Sequence, residues 1–124
     1  MTPAMIDELT RNRRPGYGLE RVFYHEPAIF ERELERLFAR SWLYAGHASE
    51  WPAVGDWRLL ELAGESLILA RGGDGVLRAF ANVCRHRGSR VCLEDSGRSK
   101  RLNCPYHGWS YGLDGRLLAA AHLG

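Results

Sequence analysis

Apolar residues in the first third of the chain recur at helical spacing. Phe30, Leu34, Leu37 and Phe38 stand at i, i+4, i+7 and i+8, with Glu31, Arg32, Glu33, Glu35 and Arg36 between them. Such a stripe predicts an amphipathic helix that turns one face to a core and the other to water. Glu26-Pro27 opens it, because the missing N–H and fixed φ of proline suit the first helical turn. The stripe runs on to Trp42. Upstream, residues 1–20 lack this periodicity, and the cluster Arg11, Arg13, Arg14 is followed by Pro15-Gly16-Tyr17-Gly18. That stretch reads as a solvated arm, and no apolar run follows the arginines as a secretory or twin-arginine signal requires.

From about Trp57 the period shortens toward two. Trp57 to Leu62, Ser66 to Arg71 and Val76 to Val83 are β-prone segments separated by Ala63-Gly64-Glu65 and Gly72-Gly73-Asp74-Gly75, both strong turn signals. Further on, Ser110-Tyr111, the turn Leu113-Asp114-Gly115 and Arg116 to Ala120 read as a closing hairpin. Glu94 to Lys100 is polar enough to be an exposed excursion. The expected fold is mainly β, an antiparallel barrel or sandwich with two loops projecting from one end, preceded by an N-terminal helix. The expected organisation is an arm and amphipathic helix over residues 1–40 and a β domain over residues 41–124.

Composition narrows the picture. At 124 residues with 45% hydrophobic content the chain can bury one core and hardly two. Seventeen basic against fifteen acidic residues leave a net charge of +2, which argues against a dedicated nucleic-acid binder. No apolar run approaches the length of a membrane span.

The chemistry sits in Cys84-Arg85-His86 and Cys104-Pro105-Tyr106-His107. Each stretch pairs one thiolate donor with one imidazole donor. Two readings fit: a [2Fe–2S] cluster with two cysteines on one iron and two histidines on the other, and a structural zinc site. In the first, neutral imidazoles leave the oxidised site uncharged where four thiolates would make it doubly negative, so an electron is added more easily. A second ring nitrogen on each histidine also allows proton uptake to accompany reduction. Gly88, Pro105 and Gly108 permit tight turns with N–H groups aimed at sulfur, and Trp109 can shield the site from water. Cys92, between Val91 and Leu93, reads as a small buried apolar residue.

The flanking residues carry a resemblance. Cys84-Arg85-His86-Arg87-Gly88, with Asn103-Cys104-Pro105-Tyr106-His107-Gly108-Trp109, resembles the Rieske domain of the ring-hydroxylating, or Rieske non-haem iron, oxygenase α subunits. The likeness extends from about Tyr24 through Trp42 and Gly55-Asp56-Trp57 to Leu113-Asp114-Gly115-Arg116. It implies that Cys84, His86, Cys104 and His107 hold a Rieske [2Fe–2S] cluster. In the cytochrome bc type a disulfide braces the two loops, and its cysteine positions correspond here to Ser89 and Tyr106. The chain is thus expected to lack that disulfide, which suits a reducing cytoplasm.

The resemblance further implies an oxidoreductase in which the cluster passes electrons to a separate mononuclear Fe(II) held by two histidines and a carboxylate. The spare histidines His25, His47 and His122 do not form such a triad, so the iron-binding catalytic domain is expected to lie outside this chain. A flavin- or ferredoxin-type reductase is the implied electron donor, with Arg85, Arg87 and Arg90 placed to steer it, and a homotrimer is the implied assembly. Phe80 to Cys92 and Leu113 to Leu118 look most like the branch that demethylates quaternary ammonium compounds such as glycine betaine. Gly108-Trp109-Ser110 looks like the aromatic-ring hydroxylases, so both substrate classes stay open. A stand-alone Rieske ferredoxin-like carrier is the alternative.

Overall fold

A computed structural model describes residues 1–121 of the chain. It divides into two compact units, Met1–Tyr44 and Ala45–Gly124.

In the first unit, α1 spans Pro3–Arg11 and α2 spans Pro27–Arg36. The N-terminal residues are therefore not a solvated arm throughout. The Thr2 hydroxyl accepts the Met5 N–H at 3.3 Å, and proline stands in the first turn of α1. Ile6 on α1 and Ile29 on α2 are both buried, and Arg32 reaches Asp7 at 2.5 Å. A helix with one anchoring isoleucine leaves little periodic signal, which is why the pattern missed it. For α2 the boundaries agree with the proline signal, but the buried face differs from the expected one. Ile29 is 3% exposed, whereas Phe30 and Leu37 are 56% and 53% exposed. Leu37 already lies past the last helical residue, so the stripe does not stay in register with a continuous helix.

The second unit carries two antiparallel sheets. Strands β1 (Asp56–Leu62), β2 (Glu65–Arg71), β3 (Leu77–Ala81) and β4 (Ser96–Arg98) are ordered β3-β2-β1-β4. Strands β5 (Arg101–Asn103), β6 (Ser110–Gly112) and β7 (Leu117–Ala119) form the order β5-β6-β7. The arrangement is a sandwich, with no closed barrel among the described residues. Trp57, Ile68 and Ala70 from one sheet meet Leu102, Trp109 and Leu113 from the region of the other, and Cys84, Cys92 and Cys104 join the same core. Burying each large apolar side chain contributes roughly 1.5–3 kcal/mol, so this shared core is what holds the sheets face to face.

The polar stretch between the two loops is not wholly irregular. β4 pairs with β1 in the register Trp57↔Gly97, and a Cβ at Gly97 would meet the Trp57 indole at 2.8 Å. Only glycine lets the ring lie across that strand.

Candidate metal centre

Both expected ligand stretches leave the same end of the sandwich, at the ends of β3 and β5. Each cysteine opens the same six-residue bracket. The Cys84 N–H donates to Ser89 O at 2.7 Å and the Gly88 N–H to Cys84 O at 2.9 Å. In the second bracket the Cys104 N–H donates to Trp109 O at 2.8 Å and the Gly108 N–H to Cys104 O at 3.0 Å. Gly88 and Gly108 close the turns with φ of 71° and 76°, a left-handed conformation in which an L side chain is strained. Histidine takes the third place in one bracket and the fourth in the other.

The brackets gather all four predicted residues. Cys84 and Cys104 are buried, and their side chains are within hydrogen-bonding reach of each other. The His86 and His107 rings meet edge to face with centroids 4.9 Å apart. The Trp109 indole stacks on His86 at 4.6 Å with the planes only 9° apart, and its Nε1–H donates to Ala121 O at 3.1 Å. Trp109 thus covers one imidazole, as its place in the sequence suggests. Tyr106 lies against His107, with ring centroids 3.9 Å apart.

The surroundings of Cys84 act on its thiol in both directions. Burial alone raises its pKa, but the hydroxyl of Tyr111, the N–H of His86, the Cys104 thiol and the N–H of Arg87 act in the other direction and carry it below the ordinary thiol value. Cys92 shows the contrast, since burial without such donors pushes its thiol up to about 11. It packs in the core as an inert small residue, as expected.

Sequence reasoning missed two contributors. Tyr111 looks like an ordinary strand residue because its partner Cys84 stands 27 positions earlier. The Asn82 side chain bonds Val91, Cys92 and Ser66, none of which is a sequence neighbour. Of the three arginines, Arg90 pairs with Glu61 at 3.3 Å, while Arg85 and Arg87 are exposed beside His86. His47 caps a short helical turn by accepting the Ser49 N–H, His25 is exposed, and His122 lies outside the described residues. A broad concavity of about 870 Å³ is lined by Gly72–Asp74, Arg98–Lys100 and Gly112–Asp114. These are turns at the ends of the strands away from the brackets, so this hollow is not where the candidate ligands gather.

The donor set can be tested against each candidate group. A [2Fe–2S] cluster of the mixed type needs two thiolates for one iron and two imidazoles for the other. A buried thiol pair beside an imidazole pair fits that need. A structural zinc needs four donors around one point. Among the described residues no group of three or more His, Cys, Asp or Glu side chains is set to hold a metal ion, and this bears on the cluster and on zinc alike.

Comparison with known proteins agrees with this geometry. The family profile of the Rieske [2Fe–2S] domain matches residues 41–123. The glycine betaine monooxygenase oxygenase subunit of Chromohalobacter salexigens is 42% identical over 113 residues, covering 91% of this chain and 25% of that protein. A quaternary ammonium Rieske monooxygenase solved with L-carnitine superposes with a TM-score of 0.75 at 43% identity, over 82% of this chain and 29% of that one. Naphthalene 1,2-dioxygenase from Rhodococcus sp., solved with indole, gives a TM-score of 0.85 at 28% identity, over 96% of this chain and 27% of that one. The chain thus spans about a quarter of the length of this curated relative. With the profile matched over most of its length and both brackets in place, the chain belongs to the Rieske [2Fe–2S] domain family.

Proposed function

We propose that this chain is the electron-relay domain of an oxygenase α subunit. In this reading Cys84 and Cys104 hold one iron of a [2Fe–2S] cluster, and His86 and His107 hold the other through one ring nitrogen each. When bound, the cluster supplies one-electron storage at a potential above that of an all-cysteine centre. The supporting observation is the pair of matching brackets, which bring a buried thiol pair and an imidazole pair to one end of the sandwich.

The chain's own residues do the rest. Tyr111, His86 and Arg87 present hydrogen-bond donors to the Cys84 sulfur and hold its negative charge. Trp109 excludes water from one face of His86 and fixes the plane of its ring. Arg85 and Arg87 steer an acidic flavin- or ferredoxin-type reductase. Arg90 is less suited to that role, because Glu61 offsets its charge. Charge reversal at Arg87 should slow reduction at low salt and have little effect at high salt.

The domain boundary is drawn near residue 40, with residues 41–124 as the Rieske domain. The mononuclear iron site and substrate pocket belong to sequence outside this chain, and the whole protein works in the cytoplasm as a homotrimer. Among the described residues no helix is long and apolar enough to cross a membrane. Similarity to the betaine and carnitine enzymes favours oxidative N-demethylation of a quaternary amine, and aromatic hydroxylation is the second reading, supported by the likeness to naphthalene dioxygenase.

EPR of the anaerobically reduced protein tests the ligand set. A signal of low average g that disappears in His86→Cys supports it. Colourless protein with stoichiometric zinc overturns it.

A further inference from the structure

The side chain of Asn82 is buried, at 5% exposure, and all four of its hydrogen-bonding positions are filled. Nδ2 donates to Ser66 Oγ at 3.2 Å and to Cys92 O at 2.9 Å. Oδ1 accepts the Val91 N–H at 3.0 Å and the Cys92 N–H at 2.9 Å. The Asn82 N–H itself donates to Ser66 O at 2.8 Å. One amide therefore joins the chain two residues before Cys84 to the chain at Val91 and Cys92, beyond the first bracket, and anchors both to β2.

The bracket enclosed in this way has a chemical task as well as a shape. Within it the Gly88 N–H donates to Cys84 O, and the Arg85 N–H donates to the Tyr111 hydroxyl that lies 3.3 Å from the Cys84 sulfur, so the N–H groups of Arg85, His86 and Arg87 that act on this sulfur, directly or through Tyr111, depend on the path of the backbone between Cys84 and Gly88. A hydrogen bond to a sulfur ligand stabilises the more negative, reduced state of an iron–sulfur centre and so raises its potential. If the two ends of the loop separate, the N–H groups swing away from sulfur before the fold is lost.

We infer that Asn82 is a positioning residue whose amide, by strapping Val91 and Cys92 to the start of the first bracket, keeps the N–H donors on Cys84 and thereby sets the reduction potential of the centre. This inference rests on the ligand assignment proposed above. Asn82 is not one of the four proposed ligands, and its side-chain bonds go to Ser66, Val91 and Cys92. Its effect passes through the loop.

Three variants of the cluster-loaded protein form a graded test: Ser66→Ala removes the remote anchor, Asn82→Asp removes both amide donors at constant volume, and Asn82→Ala removes the strap. The readouts are midpoint potential by EPR-monitored redox titration, EPR line width of the loaded fraction, and melting temperature. A fall in potential that grows along this series, with broadening lines, supports the inference. Loaded Ser66→Ala and Asn82→Asp proteins with wild-type potential and line shape but a lower melting temperature overturn it, leaving Asn82 a purely structural residue and the ligand assignment intact. A wild-type protein without the low-g signal overturns the ligand assignment instead, and the inference falls with it.

Discussion

The Tyr111 hydroxyl lies 3.3 Å from the Cys84 sulfur, a contact between β6 and the first bracket. The Arg85 N–H donates to the same hydroxyl oxygen at 3.0 Å. When Cys84 is a thiolate its sulfur has no proton to give, so the phenolic O–H is then the donor across this contact. The arrangement ties the two sheets together beside the candidate ligands.

Replacing Tyr111 by Phe should lower the midpoint potential while the EPR signal persists. Hydrogen bonds to charged groups contribute about 1.5–3 kcal/mol, and part of that differs between the two redox states. A difference on the order of 1 kcal/mol corresponds to a drop of about 40 mV for one electron. Redox titration of the loaded variant reads this directly, and an unchanged potential would show that the contact is structural only.

The turn between β1 and β2 holds a correctable defect. Leu62 pairs with Glu65 across a two-residue connection, Ala63-Gly64, in which both residues have positive φ, 53° and 82°. This is the geometry of a type I′ hairpin, which favours Asn-Gly. Alanine in the left-handed region costs about 1–2 kcal/mol. Ala63→Asn should therefore stabilise the protein by about 0.5–1 kcal/mol, seen as a higher denaturant midpoint at unchanged slope.

Cys92 predicts an alkaline loss of stability. Its thiol is pushed up to about 11 in the folded chain, whereas an unfolded cysteine titrates near about 8.5. Between those values the unfolded state has released a proton that the native state keeps, so stability falls as pH rises. Below about pH 8 the contribution is fully present. In Cys92→Ala this slope should vanish, and the stability gap between variant and wild type should narrow from pH 8.5 towards 11 in denaturant titrations.

Much of the site could be read from the sequence, because its residues are local. Cysteine, histidine and glycine at fixed short spacing dictate a bracket wherever the bracket sits in the fold. The β1-β2-β3 meander was equally legible from glycine turns between short leucine-rich runs. What escaped depended on partners remote in sequence. β4 is made a strand by its pairing with Trp57, and nothing within Ser96-Gly97-Arg98 favours extended pairing. α1 is fixed by one isoleucine and an ion pair to α2. Asn82 and Tyr111 each act on groups that reach them only once the sheets have packed.

The likeness of the two brackets has a dynamic consequence. Each is closed by paired backbone hydrogen bonds at its base, and each rises from a strand end anchored in the shared core. Donors already aimed at the sulfur need not turn when charge arrives, as water would have to. Little nuclear rearrangement then accompanies gain or loss of an electron. A low reorganisation energy of this kind lets charge hop quickly over distance with only a small driving force, so in the proposed relay the stiffness of two short turns bears on the rate of electron transfer.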